Sequence, residues 1–158
     1  LAALDASNLL SIKETELPEG VARLQQEKKE LGERLTECTG KLLEYRIEEM
    51  KAHPATTEAG HAKFVFLESD MTPKEAKALA KRLGEIPEAF SAIFYQNGER
   101  LNYMFLATDG AELSCQQVIR TVNEAFGGRG GGRPESCQGS AICPADWREK
   151  AEALMSAL

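Results

Sequence analysis

The sequence predicts an α/β chain: a long N-terminal helix of coiled-coil type, followed by a mixed-sheet domain with element order βαββαβα. Three observations carry this. Apolar residues between positions 17 and 50 recur at alternating spacings of three and four, the signature of a helical seam. From Phe64 onward the apolar runs shorten and are punctuated by helix-cap and turn signals. After the last long amphipathic stretch comes a glycine-dense segment, Gly127–Ala141, that places five of the chain's 13 glycines within six positions. The 158 residues suffice for one ordinary domain plus an extension. The expected organisation is a helical dimerisation and spacer segment over 1–50, a linker over 51–62, and an α/β domain over 63–158.

The first element is the seam. Val21, Leu24, Leu31, Leu35, Cys38, Leu42 and Tyr45 fall on it, with Lys28 interrupting at an a-type position; Pro18 and Glu19 suit the first turn. A helix of this length spans roughly 50 Å at 1.5 Å per residue. It cannot bury its own apolar stripe, and Leu1–Ile12 is too short to cover it. Self-association through Val21, Leu24, Leu31, Leu35 and Leu42 is therefore expected, giving a homodimer. Gly32 and Gly40 each weaken such a helix by about 1 kcal/mol relative to alanine.

Lys51–Ala62 breaks the period and reads as linker, with His53 and His61 as exposed residues. Phe64–Leu67 is a continuous apolar run, as a buried strand requires. Thr72-Pro73-Lys74-Glu75 is a capping box with proline at the first helical position; its helix carries Ala76, Leu79, Ala80 and Leu83 on one face and stops at Gly84. Ser91–Gln96 and Leu101–Thr108 flank Asn97-Gly98, a strong hairpin signal. Ser114 with Gln117 opens a helix bearing Val118, Ile119, Val122 and Phe126, with Gly127 just past its end. Beyond the glycines, Cys137–Ile142 can form a strand of small residues. Pro144-Ala145-Asp146 starts a last helix with Trp147, Ala151, Leu154, Met155 and Leu158 on one side.

The glycine segment carries the functional signal. Glycine lacks a Cβ, so a run of it lets backbone N–H groups approach a ligand closely and form an anion-binding concavity. Guanidinium groups beside it donate in a fixed fork suited to phosphate. Gly127-Gly128-Arg129-Gly130-Gly131-Gly132-Arg133-Pro134-Glu135-Ser136-Cys137-Gln138-Gly139 resembles the signature of the DHH-associated domain at the C-terminus of alanyl-tRNA synthetases and of the long free-standing alanyl-tRNA editing proteins. A related motif with histidine after the first two glycines occurs in DHH-family phosphoesterases and exonucleases; here that position is Arg129, which places the chain nearer the alanyl-tRNA branch. The resemblance implies the same element order and a tRNA partner, with tRNA(Ala) the expected one, met at its elbow. It supports aminoacylation or editing of mischarged tRNA(Ala) as the context. The implied contact residues are Gly128, Arg129, Gly130, Gly131, Gly132, Arg133, Pro134, Gln138 and Gly139. Tyr95 and Tyr103 are conceivable stacking partners but, as strand aromatics, read as core.

Other classes fit less well. No Ser/His/Asp or Cys/His arrangement and no zinc-finger spacing of the four cysteines exists. The resemblance implies zinc only in a separate upstream editing domain, whose motifs do not occur here, and Leu1 reads as a cut inside a longer protein. No cofactor is expected in this segment, and catalysis by it alone is not expected either. The alternative reading, the substrate-binding half of a DHH-family nucleotide phosphoesterase or exonuclease, is disfavoured by the heptad helix and Arg129. No run approaches 18 apolar residues, so no membrane span is predicted. Scattered cysteines in a chain able to build its own core read as reduced thiols of a cytoplasmic protein. The net charge of −6 argues against a broad basic groove. Residues 127–158 balance four acidic against four basic side chains, while Gly127–Arg133 is locally +2, which suits a small, focused anion site.

Overall fold

The computed structural model describes residues 1–158 and divides into two compact units, Leu1–Arg46 and Ile47–Leu158. In the first, α1 (Ala2–Leu10) ends at Ser11, which turns the chain in the left-handed region at φ 55°. A short 3-10 turn, Glu14–Glu16, leads into α2 (Leu17–Ala52), which runs on past the end of that unit. Gly20 lies where the chain folds back, and a Cβ there would meet the terminal Cδ1 of Ile12, a flexible side-chain end that can move aside. α2 continues through Gly32 and Gly40 without interruption. Its surface is held by i,i+4 pairs such as Lys41–Glu37 at 2.7 Å and Gln26–Glu30 at 2.9 Å, each contributing about 0.3–0.5 kcal/mol.

The second unit is built on a six-stranded mixed sheet of order β1-β2-β3-β4-β6-β5. Its strands are β1 (Ala55–Thr56), β2 (Ala62–Glu68), β3 (Ala89–Asn97), β4 (Arg100–Ala107), β5 (Arg129–Arg133) and β6 (Ser136–Ile142). Only β2 and β3 run parallel, joined by the crossover helix α3 (Pro73–Leu83). α3 begins with the N-cap half of the expected capping box, the Thr72 hydroxyl accepting from the Glu75 N–H at 3.2 Å. β3 and β4 turn at Gly98, φ 63°. α4 (Cys115–Phe126) and α5 (Trp147–Ser156) complete the chain, and Gly127 closes α4 at φ 63°, as a helix C-cap favours.

Strand alternation fixes which residues face the core. Phe90, Ala92 and Phe94 of β3 and Leu101, Tyr103 and Phe105 of β4 pack with Val118, Ile119 and Val122 of α4 and with Trp147, Ala151 and Met155 of α5. The aromatic contacts within it, such as Phe94 edge-on to Phe105 at 5.5 Å, contribute about 0.5–1.5 kcal/mol each beyond area burial. Lys63, on β2, is buried and donates its ammonium to the Met155 carbonyl at 2.8 Å, where a cation meets the negative end of α5. α3 covers the opposite face over β3 and β4.

Three findings differ from the sequence expectation. The glycine run is not a loop: Arg129–Arg133 is strand β5, paired with β6 as a hairpin, so one strand is added to the βαββαβα order. Glycine's low strand propensity hid it. Residues 51–62 contain the last turn of α2 and the strand β1, and Thr57 is buried. His61 is not a free linker residue; it is partly buried, with Nε2 3.4 Å from the Glu112 carboxylate. Tyr95 and Tyr103 are core, as expected.

Candidate nucleic-acid interface

The glycine hairpin occupies the end of the sheet, with β5 as its outer strand. Its two-residue turn, Pro134-Glu135, is pinned from both sides: the Cys115 N–H donates to the Pro134 carbonyl at 2.8 Å, and the Ala107 N–H to that of Glu135 at 2.9 Å. The turn therefore moves only with the start of α4 and the end of β4.

Each glycine has a distinct job. Gly128 and Gly139 lie against Tyr103: a Cβ on Gly128 would collide with the Tyr103 hydroxyl, and one on Gly139 would stand 2.6 Å from the Tyr103 ring. Gly130 lies directly opposite Gly139, and a Cβ on it would overlap the Gln138 carbonyl. Gly132 would likewise meet the Ser136 carbonyl. Gly131 alone within the triplet has open space where its Cβ would be. Four of the site glycines thus allow close packing of backbone on backbone or on Tyr103. Tyr103 adds a polar clamp: its hydroxyl donates to the Asn123 side-chain carbonyl, and the Asn123 amide donates to the Gly130 carbonyl at 3.3 Å.

The register sorts the remaining side chains. Arg129 pairs with Ser140, Gly131 with Gln138, and Arg133 with Ser136. In turn Ser140 pairs with Asn102, Gln138 with Met104, and Ile142 with Arg100 on β4. Residues directly opposite share a face, so Arg129, Arg133 and Gln138 stand together with Arg100, Asn102, Met104 and Ser140 on the face away from α4 and α5. The hairpin end of that face is open: Arg129, Arg133 and Gln138 are exposed, and Ile142 is 74% exposed. Arg133 Nε sits 3.1 Å from the Glu135 carboxylate, an exposed pair worth at most about 1 kcal/mol. Arg100 donates to the Ser140 hydroxyl at 2.7 Å. The sequence-level candidates therefore divide. Arg129, Arg133 and Gln138 converge on the open face with Gly131 between them; Gly128, Gly130, Gly132 and Gly139 shape the hairpin; Pro134 forms its anchored turn.

The outer edge of β5 forms a second feature. Gly130 and Gly132 turn their carbonyls away from β6, where the Asn123 and Gln116 side-chain amides donate to them, the latter at 2.9 Å. In an antiparallel pair a residue's N–H and C=O point the same way, so the N–H groups of both glycines also look outward. They line a groove of about 340 Å³ with Gln116, Asn123 and Arg120. Arg100, Asn102 and Arg120 escaped the sequence reading. For β4 the signal was present in the alternation of Arg100, Asn102 and Met104 with Leu101, Tyr103 and Phe105.

The titratable groups beneath the hairpin are kept neutral. Burial pushes the Cys115 thiol up to about 12, helped by the neighbouring Cys137 and the Glu135 carboxylate. Burial and then Glu135 raise Cys137, and burial raises Tyr95. Tyr103 is raised by burial, with the Arg100 charge pulling the other way. These are packed, unreactive groups rather than nucleophiles. No group of three or more His, Cys, Asp or Glu residues converges to hold a metal ion, and no helix is long and apolar enough to cross a membrane.

Fold and site together define an α/β domain that presents a glycine-arginine hairpin at one end of a mixed sheet. The chain belongs to the DHHA1 domain family, whose profile matches residues 60–157. It is 26% identical over 137 residues to an alanine–tRNA ligase of Methanoregula boonei, a match covering 87% of this chain and 14% of that protein. The chain thus spans about a seventh of the length of that relative. Among solved structures it is similar to the C-Ala domain of Aquifex aeolicus alanyl-tRNA synthetase, at 25% identity, 60% coverage of this chain, 88% of the other, and a TM-score of 0.48.

Proposed function

We propose that this chain is a tRNA-binding and self-association module of an alanyl-tRNA synthetase-related protein, serving aminoacylation or the editing of mischarged tRNA(Ala). The observation that carries the reading is the convergence of Arg129, Arg133 and Gln138 on one open sheet face, in a protein whose net charge is −6. A face with few arginines and several amide and hydroxyl groups suits recognition of RNA by shape and exposed groups rather than by a phosphate track. The similarity to a protein named as an alanine–tRNA ligase supports the tRNA class. Self-association is supported by the seam on α2: Leu31, Leu35 and Leu42 are 65%, 68% and 59% exposed in the single chain. A modest single-site affinity would then rise through bivalence.

Gel-shift titration with tRNA(Ala) tests the binding half. Arg129→Ala and Arg133→Ala are each expected to weaken binding about fivefold to tenfold while leaving the fold and oligomeric state intact. Unchanged affinity in both variants would sink the assignment of this face.

A further inference from the structure

We infer that the open sheet face carries a pocket for a single unstacked nucleobase, a reading that rests on the proposed RNA binding and deepens it. A shallow recess of about 250 Å³ opens there, bounded by Tyr95, Asn102, Met104, Arg129, Gln138 and Ser140. It falls below the range of drug-sized ligand pockets, a size for one ring system. The register gives it a layered chemistry. Met104 and Tyr95, from adjacent central strands, supply its apolar part; Met104 is half-buried and Tyr95 is 6% exposed. A thioether is polarizable and packs favourably on aromatic rings. Asn102 and Gln138 are diagonal neighbours across β4 and β6, since Asn102 pairs with Ser140 and Met104 with Gln138. That places them roughly 7–8 Å apart, on two sides of a planar ligand. Each carboxamide offers both a donor and an acceptor, the complement of a base's Watson–Crick or Hoogsteen edge. Arg129 stands at the outer strand with no ion-pair partner, free to meet the adjoining phosphate.

A bare phosphate is the weaker fit. It calls for converging cations, and Arg129 is the only cation bounding this recess; Arg100, on the same face, is committed to Ser140. An acidic peptide meets the same objection, and neither would use the Met104 surface.

The test is a two-dimensional NMR titration of the 158-residue chain with the four nucleoside 5′-monophosphates, alongside ribose 5-phosphate as the base-free control. Saturable shifts are expected at the Asn102 and Gln138 side-chain amides and at the Gly139 and Ser140 backbone. At least a threefold spread in affinity among the four bases is expected, with little response to ribose 5-phosphate. Asn102→Ala and Gln138→Ala should flatten that spread while their remaining spectra stay those of the folded chain. Should either variant unfold, the wild-type comparison with ribose 5-phosphate still decides. Equal shifts with ribose 5-phosphate, or shifts confined to Arg129 and Arg133, would overturn the base pocket. A tRNA gel-shift on the same samples separates the two readings. If tRNA binds but nucleotides and ribose 5-phosphate behave alike, only the pocket fails. If nucleotides discriminate but tRNA does not bind, the tRNA assignment fails and the pocket stands.

Discussion

Gly130 and Gly131 are neighbours in sequence and opposite in consequence. A methyl on Gly130 has to displace the Gln138 carbonyl across the hairpin, whereas one on Gly131 projects into open space. Gly130→Ala is therefore expected to cost about 1–3 kcal/mol, the range for forced overpacking, and Gly131→Ala to stay within about 0.5 kcal/mol. Urea denaturation of the two variants checks this, and equal losses would mean that the glycines do not serve close packing. Glu135 supports a second prediction. Its carboxylate occupies Arg133, so Glu135→Gln frees that guanidinium and removes a negative charge beside the proposed RNA contact. An exposed pair is worth about 0.2–1 kcal/mol, so tRNA binding should tighten up to about fivefold; weaker binding would count against Arg133 as a contact. The thiols give a third. Cys38 is exposed, while the Cys115 thiol lies near 12 because it is buried and faces Cys137 and Glu135. Native alkylation at pH 8 should modify Cys38 first and Cys115 last. For stability the sign follows from a folded pKa above the thiol's ordinary value of 9.0. Below about 9 the contribution is complete. Between 9 and 12 the unfolded thiol ionises and the folded one does not, so stability falls as pH rises through that window.

At the scale of elements, most of the fold was legible because local signals and tertiary packing agreed. The Thr72 cap, Gly98 at the β3–β4 turn and the Gly127 stop each encode an element boundary through a backbone or hydrogen-bond requirement of one residue. β5 was illegible for a physical reason: three glycines and two arginines carry neither apolar alternation nor strand propensity, and the strand exists because its bare backbone fits against β6, Tyr103 and α4. The candidate site was half legible. Its arginines stand inside the motif, but Asn102, Met104 and Arg100 belong to β4 and reach them only through the pairing of β4 with β6. The register shows which of the motif's residues reach solvent, and the linear motif could not. α2 presents the other element-scale question, a seam that the single chain leaves bare. Leu35→Asp places a carboxylate in the middle of that seam, a position where a pair of helices would have to desolvate it. Sedimentation should then report a monomer in place of a dimer, with the α/β domain still folded. A wild-type chain that sediments as a monomer at tens of micromolar would remove self-association from the proposal.

For the molecule as a whole, the decisive quantity is how its charge is arranged. The total is −6, and residues 14–50 alone hold 10 acidic against 6 basic side chains, so much of the surface repels a polyanion. Under the proposed tRNA binding, association would have little long-range steering and would depend on a few contacts at the open face: Arg100, Arg129 and Arg133, of which Arg133 is shared with Glu135 and Arg100 with Ser140. Binding that neutralises Z phosphates falls with salt at a slope of about −0.7Z to −0.9Z in the logarithms. With two to three arginines engaged, the slope for tRNA should lie near −2, and Arg129→Ala should make it shallower by nearly one unit. A basic-groove binder with eight contacts would show a slope steeper than about −5. Affinity measured between 50 and 300 mM salt therefore distinguishes the two architectures. A slope near −2 leaves part of the affinity to uncharged groups, and on this face those groups are Asn102, Met104, Gln138 and Ser140. A steep slope, left unchanged by Arg129→Ala, would move the interface off the glycine hairpin altogether.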